Sequence, residues 1–292
     1  MKDDLHSRKQ LFELIARHRM DSLFPGEWES ILKGQGLDFM DLREYQPGDY
    51  YNRINWKKTA QDTQGKVYVK EHRADSYASV MLLYDISRSV AFGEKEDMQA
   101  IIAASLAYSA LTSNNSCGMI MFSDGVKRHP YIPPGGGDLQ LQYIIKAIQQ
   151  TEPRKCKDTN ITKALETLVN SVGRSLSFII SDFNAHKSYV HFLEGIDKTR
   201  HDIIALMVLS KSELELPSDG CLIELTDQEK GGSFLLDARA YAKLYKEEMV
   251  KNKQKIKSTL ESIGVDAEII TTKDSFVKKI NHLLQKRKEK IR

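Results

Sequence analysis

The chain of 292 residues has few cysteines and no long apolar run. The three cysteines are Cys117, Cys156 and Cys221, an odd and widely spaced set with no Cys-x-x-Cys pair and no histidine at zinc-ligand spacing. A disulfide framework and a zinc site are therefore not expected. The charged N-terminus lacks the apolar stretch of a signal peptide, and no segment approaches the roughly 18 apolar residues of a membrane span. We therefore expect a cytoplasmic protein without a transmembrane segment.

Neither sign of charge dominates the composition. The 43 Lys and Arg residues nearly balance the 40 Asp and Glu residues, which leaves a net charge of +3. Because nucleic-acid-binding proteins present a basic surface, this balance gives no reason to expect a nucleic-acid partner. The hydrophobic content of 41% is enough for a sizeable buried core.

Motifs of several common enzyme classes are also missing. The sequence has no Gly-x-x-x-x-Gly-Lys-Ser/Thr, which excludes a Walker-type ATP site. It has no Gly-x-Ser-x-Gly, the sharp turn that carries the nucleophile of serine hydrolases. A functional site must therefore be sought in another sequence pattern.

From about residue 79 onward, short apolar runs alternate with longer segments of helical period. This alternation is typical of βαβ units and predicts an α/β fold with a doubly wound, Rossmann-like, mostly parallel sheet. The Pro- and Gly-rich stretch from Pro133 to Gly137 predicts a loop between a strand and a helix. The predicted strands are 79–86, 117–123, 175–183, 202–210, 221–227 and 266–272. The predicted helices are 95–113, 139–150, 160–172 and 238–264.

The first 78 residues have a different pattern. An amphipathic helix is predicted near Ser7 to Leu23, and the segment after it is rich in Gly, Asp and Tyr without a clear period. We therefore expect two parts, an N-terminal extension or small subdomain over residues 1–78 and the main α/β domain over residues 79–292.

Oxygen-bearing side chains lie next to the ends of predicted elements. Asp85, Ser87 and Ser89 follow the first predicted strand, Thr159 precedes a helix, and Asp182 follows the strand that contains "FIIS". Ligands of open α/β sheets bind beyond the carboxyl ends of the strands, and alternate residues of an extended segment point the same way. Because hydroxyls and carboxylates suit hard cations, these five residues are predicted to hold Mg²⁺ or Mn²⁺.

Other interpretations of the same residues remain open. The Asp-x-Ser-x-Ser pattern is also compatible with a helix N-cap, and Thr159 or Asn160 could cap the helix that begins near Ile161. An aspartate after the first strand also begins the motif of haloacid-dehalogenase phosphohydrolases. That motif needs a second acid two residues on, where this chain has Ser87. A metal-dependent phosphohydrolase using Asp85 is thus the alternative function.

Two stretches of the sequence resemble known families. "DISRSV", "TNIT" and "IISDF" resemble the von Willebrand factor type A domain, in which Asp-x-Ser-x-Ser, a threonine and an aspartate form the metal-ion-dependent adhesion site. The segment from Gly34 to His72, with the later "SELELP", resembles the bacterial domain of unknown function 58 family. The matching positions are Gly34, Gly36, Phe39, Leu42, Arg43, Tyr45, Pro47, Gly48, Asp49, Arg53, Ile54, Trp56, Lys57 and Ala60.

The resemblance implies a function as well as a fold. It implies that Asp85, Ser87, Ser89, Thr159 and Asp182 hold the metal of a non-enzymatic, Mg-dependent protein-interaction module, and that a protein partner supplies a carboxylate to this metal. It also implies a MoxR-type AAA+ ATPase as the partner, in chaperone-like assembly or maturation.

The chain departs from the family pattern at two places. Val90 stands where the family usually has Met, and Ser210 and Lys211 stand where it has Asp-Pro. The departures leave the ligand set intact and the role of the loop near Glu213 open.

Overall fold

The computed structural model describes residues 41–45, 54, 56–61, 66–71, 79–91, 94–123, 130–151, 159–185, 188–216, 222–226 and 233–291. The helix predicted near Ser7 to Leu23 and the family-signature positions in 34–40 and 46–53 lie outside these residues. The strands are β1 (Asp41–Glu44), β2 (Tyr68–Glu71), β3 (Ser79–Asp85), β4 (Ser116–Phe122), β5 (Tyr131–Gly135), β6 (Ser175–Ser181), β7 (His201–Leu209), β8 (Leu222–Thr226), β9 (Ser233–Asp237) and β10 (Asp266–Thr271). The helices are α1 (Trp56–Gln61), α2 (Lys95–Thr112), α3 (Gly137–Gln149), α4 (Ile161–Ser171), α5 (Ser188–Gly195), α6 (Lys211–Leu214), α7 (Ala238–Ser262) and α8 (Phe276–Ile291).

A six-stranded sheet forms the centre of the molecule, in the order β10-β7-β6-β3-β4-β5. All neighbouring strands are parallel except β4 and β5, which pair antiparallel. The predicted α/β fold with a doubly wound, mostly parallel sheet is confirmed. The chain builds outward from β3 to β4 and β5, and then returns to the other side of β3 with β6, β7 and β10. The sheet therefore reverses its strand order between β3 and β6, and ligands of such sheets bind at this kind of switch point.

The sheet is buried on both faces, which explains why its strands are continuous apolar runs. On one face, Val80 and Leu82 of β3 belong to a cluster with residues of α2, α3 and α8. On the other face, Met81 and Leu83 belong to a cluster with residues of α4, α5 and α7. Consecutive side chains of β3 therefore pack alternately into the two clusters, because successive side chains of a strand point to opposite faces of the sheet.

Side-chain caps fix where two of the helices begin. The Asn160 side chain accepts a hydrogen bond from the Lys163 backbone N–H at 3.1 Å and starts α4. Asp237 accepts from the backbone N–H groups of Arg239 and Ala240 at 3.0 and 3.3 Å and starts α7. These contacts satisfy donors that a helix N-terminus otherwise leaves open.

Two parts of the strand prediction are wrong. The Pro133–Gly137 stretch is not a loop throughout, because Tyr131–Gly135 pairs with β4 as the antiparallel edge strand β5. Proline is tolerated there because an edge strand needs only one row of backbone donors. The predicted strand at 221–227 exists as β8, but it pairs with β9 in a separate two-stranded hairpin and does not join the central sheet.

The described part of the N-terminal region is a small antiparallel unit. β1 pairs with β2 in a two-stranded sheet, with an isolated bridge from Ile54 to Val69. Both Ile54 and Val69 are buried. The division into 1–78 and 79–292 stays a prediction. Among the helices of the described residues, none is long and apolar enough to cross a membrane.

Candidate metal centre at the carboxyl edge of the sheet

Four strand ends meet at the carboxyl edge of the sheet. β3 ends at Asp85, β6 ends at Ser181 just before Asp182, β4 is followed by Ser123, and β7 is followed by Ser210. Because β3 lies between β4 and β6, Asp85 is flanked by the ends of both neighbouring strands. The predicted site residues from β3 and β6 therefore share one edge at the switch point.

The Asp85 carboxylate is fully buried at this edge. Its Oδ1 accepts a hydrogen bond from the Ser87 backbone N–H at 2.8 Å, and its Oδ2 accepts one from the Ser181 hydroxyl at 2.5 Å. None of the ion pairs within the described part of the chain includes Asp85. Burial, followed by the nearby charge of Asp182, raises the pKa of Asp85 to about 7, against the opposing effect of its hydrogen bonds. Asp85 is thus a buried acid without a compensating cation among the described residues.

Ser87 and Ser89 follow Asp85 in a tight turn. Both are buried, and their hydroxyl oxygens lie 3.1 Å apart. The segment Arg88–Ala91 is a short 3-10 helix, and α2 begins only at Lys95, without a side-chain cap. The interpretation of Asp-x-Ser-x-Ser as the N-cap of an α-helix is therefore wrong. The turn instead keeps two hydroxyl groups beside the Asp85 carboxylate.

Asp182 follows β6 and is also fully buried, but its surroundings differ from those of Asp85. Its Oδ1 accepts a hydrogen bond from the Asn184 backbone N–H at 3.0 Å, and its Oδ2 accepts one from Lys95 Nζ at 2.8 Å. Burial alone would raise the pKa of Asp182, but the Lys95 ammonium outweighs it and lowers the pKa. Asp182 is therefore held as an anion with a partner in place.

Lys95 is a residue of this site that the sequence analysis missed. Its side chain is fully buried, and its Nζ lies 2.8 Å from Asp182 Oδ2 and 2.7 Å from Glu213 Oε1. Burial alone would lower the pKa of Lys95, yet these two carboxylates together raise it. Glu213 uses its second oxygen, Oε2, to accept the Ser210 backbone N–H at 2.9 Å. The loop near Glu213, whose role was open, thus supplies a third acidic group to the site.

Helix α7 contributes two side chains that contact the same site. Lys253 is buried and donates to the Asp182 backbone carbonyl at 3.0 Å and to Asn184 Oδ1 at 2.5 Å. Two turns earlier, the Tyr245 hydroxyl donates to the Glu213 backbone carbonyl at 3.1 Å. Both contacts hold the loops that carry the acidic groups.

The sequence carried weak signals for these missed residues. Lys95 occupies the first turn of an otherwise apolar helix face, with Gln99 four residues later and both side chains fully buried. "SKSE" from Ser210 to Glu213 has the spacing of a capping box, which the structure contains. Neither signal identifies the partner, because Lys95 and Glu213 are separated by 118 residues.

Thr159 lies at the entrance to α4 and is buried. Asn160, not Thr159, caps the helix through the Lys163 backbone N–H. Within the described part of the chain, the Thr159 hydroxyl has no hydrogen-bond partner, nor does the hydroxyl of the buried Ser123 after β4. No hydrogen bond joins Thr159 to Asp85 or Asp182 among the described residues. A buried hydroxyl without a partner is costly, so both groups call for a ligand or a bound water.

The donor set fits a hard cation. Among the described residues, no group of three or more His, Cys, Asp or Glu side chains could hold a metal, so an all-acidic centre is lacking. Two carboxylates and two serine hydroxyls nevertheless meet at this edge, from Asp85, Asp182, Ser87 and Ser89, and the unpartnered hydroxyl of Thr159 is a further donor. Oxygen donors of this kind, with water completing the shell, suit Mg²⁺ and Mn²⁺.

Solved structures with a related fold match part of the chain at low identity. BatB from Bacteroides thetaiotaomicron is 15% identical with a TM-score of 0.46, covering 73% of this chain and 99% of that protein. Proximal thread matrix protein 1 from the mussel byssus, in a form with a zinc-occupied MIDAS motif, is 19% identical with a TM-score of 0.38, covering 46% of this chain and 38% of that protein. TM-scores below 0.5 at such identity carry no functional information.

Relatives in two mycobacteria cover more of the chain. An uncharacterised protein of Mycobacterium bovis and one of Mycobacterium tuberculosis strain H37Rv are each 27% identical over 226 residues, which is 75% of this chain and 69% of each relative. A family profile described as "Protein of unknown function DUF58" matches residues 41–255, which include the four strand ends of the candidate site. The chain therefore belongs to the DUF58 family.

Proposed function

We propose that this protein is a non-enzymatic binding module that uses Mg²⁺ or Mn²⁺ to hold a carboxylate of a protein partner. The observation that carries the proposal is the buried Asp85 carboxylate, which has two hydrogen bonds and no cation partner among the described residues, next to the Ser87 and Ser89 hydroxyls. A bound divalent ion would supply the missing positive charge and an open coordination position for an anionic oxygen.

Each residue has a separate task in this proposal. Asp85, Ser87 and Ser89 would hold the ion, and the unpartnered Thr159 hydroxyl and Asp182 would complete its surroundings. The Ser181 hydroxyl orients Asp85 by donating to Oδ2. Specificity for the partner would come from the loops around the site, since the ion recognises only an oxygen anion.

The phosphohydrolase alternative has little support. A phosphoaspartyl mechanism needs a second acid two residues after the nucleophile, and the side chain at that position is the Ser87 hydroxyl, which contacts Ser89 at 3.1 Å. Turnover of a generic phosphatase substrate that disappears in Asp85→Asn would favour the enzyme over the binding module.

The resemblance of the sequence to the domain of unknown function 58 family also supports a MoxR-type AAA+ ATPase as the partner. Such a partner would present an acidic side chain to the divalent ion. Its capture should need the divalent ion and the Asp85 carboxylate together.

Calorimetric titration with MgCl₂ and MnCl₂ tests the proposal directly. We expect binding by the wild type, loss of about 100-fold or more in affinity in Asp85→Asn because a charged ligand is removed, and a smaller loss in Thr159→Val. Asp202→Asn is the matched control, because Asp202 lies at the opposite end of the sheet and pairs with Arg287.

A pull-down experiment then tests whether partner binding depends on the ion. Pull-down with the wild type should retain an AAA+ partner in MgCl₂ and lose it in EDTA, and Asp85→Asn should lose it in both. Wild-type protein that binds neither ion, or variants that bind as the wild type does, would contradict the proposed function.

A further inference from the structure

We propose that the Lys95 ammonium is a built-in cation at the acidic site formed by Asp85, Asp182 and Glu213, which is called the cleft below. Lys95 occupies the Asp182–Glu213 half of this cleft, so that the cleft takes one divalent ion, beside Asp85. The inference rests on the proposed function for that ion, and it makes Lys95 the residue that determines how many ions the site accepts.

The contacts of Lys95 are those of a bound cation. Its Nζ lies 2.8 Å from Asp182 Oδ2 and 2.7 Å from Glu213 Oε1, and the side chains of Lys95 and Asp182 are both fully buried. Lysine is almost never fully buried unless it is paired, because its charge must be desolvated. Two carboxylates from the ends of adjacent strands, β6 and β7, thus converge on one positive charge.

The same two carboxylates would otherwise form a cation site of their own. Asp182 and Glu213 each present a carboxylate oxygen to the same point in a buried cleft, which is the arrangement that a hard divalent ion uses. Both acids are held in place independently of Lys95. The Asn184 backbone N–H binds Asp182, and the Ser210 backbone N–H binds Glu213.

The charge count of the cleft shows what Lys95 changes. With Asp85 ionised, as it must be to bind a metal ion, Asp85, Asp182 and Glu213 carry three negative charges, and Lys95 and Lys253 carry two positive charges, which leaves a formal charge of minus one. One divalent ion converts this to plus one, which attracts an anionic oxygen such as a partner's carboxylate. Without Lys95, one ion would only neutralise the cleft, and the attraction for an anion would weaken.

Replacing Lys95 with Met tests this role, because Met keeps most of the stem and removes the charge. In EDTA, we expect the melting temperature of Lys95→Met to fall by roughly 10 °C, since the buried Asp182 and the partly buried Glu213 lose their partner. MgCl₂ or MnCl₂ should restore most of this loss, and equilibrium dialysis with Mn²⁺ should give about two ions per chain in place of about one.

Two further variants make the comparison specific. Lys257→Met is the matched control, because Lys257 forms a partly buried pair with Glu268 at 2.9 Å outside the cleft. It should lose stability equally with and without the ion. Adding Glu213→Gln to Lys95→Met removes the second acid, so the second ion should be lost. The stability in EDTA should recover only in part, because the buried Asp182 still lacks its partner. If Lys95→Met does not fold, Lys95→Gln serves for the same measurements.

The outcomes separate this inference from the proposed function. Equal destabilisation of Lys95→Met with and without Mn²⁺, with the wild-type number of ions, would overturn the inference and leave the proposed function standing. One ion in Lys95→Met and none in the wild type would support the built-in cation and contradict the proposed function. No ion in either protein would contradict both.

Discussion

The two ends of the central sheet differ in whether their acidic side chains have a cation partner. At the amino end, the buried Arg287 of α8 binds Asp202 of β7 through two contacts at 2.6 and 2.7 Å, and it binds Asp266 of β10 at 3.2 Å. Both acids keep some solvent contact, with side chains 21% and 22% exposed. At the carboxyl end, Asp85 and Asp182 are fully buried, and only Asp182 has a cation partner among the described residues.

This difference separates a structural ion pair from a binding site. In the Arg287 pair, Nη2 donates to both oxygens of Asp202, and the partial hydration of the acids limits the desolvation cost. The pair also ties α8 to two strands. A fully buried acid without a counter-ion does not stabilise the fold. A destabilising group of this kind is typical of a site that binds a ligand. At one end of the sheet both acids thus have a cation partner, although the buried Nη1 of Arg287 has no hydrogen-bond partner among the described residues, and at the other end the buried Asp85 has no cation partner among them.

Of the three variants Arg287→Met, Asp85→Asn and His201→Gln, the first, at the amino end, is expected to have the largest effect on stability. Arg287→Met removes the buried guanidinium and leaves two partly buried acids facing each other, so the free energy of unfolding should fall by about 3 kcal/mol. Urea denaturation measures this loss of free energy. The affinity for Mn²⁺ should stay unchanged in Arg287→Met. Lys279→Met is the control, because Lys279 is 39% exposed and lies 3.5 and 4.0 Å from Glu268 and Asp274, so these pairs should contribute about 0.5 kcal/mol or less. Equal losses of the free energy of unfolding in Arg287→Met and Lys279→Met would contradict the prediction that the buried pair contributes more to stability than the exposed ones.

A smaller effect of opposite sign is expected at the carboxyl end. Asp85→Asn has nearly the same shape and removes a buried charge. Its Oδ1 can still accept from the Ser87 backbone N–H, and its Nδ2 would donate to the Ser181 hydroxyl oxygen where Asp85 Oδ2 accepts from it. In EDTA, its free energy of unfolding should therefore rise by about 1 to 2 kcal/mol above that of the wild type. In MgCl₂, the order should reverse, because only the wild type gains stability from the ion. A loss of stability in EDTA would mean that Asp85 serves the fold.

The smallest effect concerns His201 at the amino end. The residue is buried, its Nδ1 lies 3.1 Å from the Ser175 hydroxyl, and burial, followed by the charge of Arg200, lowers its pKa below 6.5. The unfolded chain therefore binds a proton near pH 6.5 while the folded chain binds it only at lower pH. The free energy of unfolding should fall as the pH drops from 6.5 towards the folded pKa, and this part of the pH dependence should be absent in His201→Gln. Denaturation series between about pH 7.5 and about pH 5.5 measure it. The same slope in the variant would exclude His201 as the cause.

Local patterns were sufficient for most of the fold and for part of the site. The strand that ends at Asp85 and the strand that ends at Ser181 are apolar runs of the length that a doubly buried sheet requires, so the prediction found both strands and the acids that follow them. The edge strand β5 was missed because Pro133 and Pro134 indicate a loop in any local interpretation. The hairpin partner of β8 was missed because pairing between strands is not encoded in the residues of one strand.

The sequence by itself determined the alternating elements and the position of the predicted oxygen donors next to their ends, because periodicity and element ends are local properties of the chain, whereas the strand order and its switch point came from the tertiary structure. Only the tertiary structure decided which of the two buried acids has a counter-ion. Lys95, Asp182 and Glu213 come from three separate elements and meet within 2.8 Å only once the sheet and α2 are packed. The physical reason is that the charge on a buried group depends on every neighbour within a few ångström, whatever its distance along the chain.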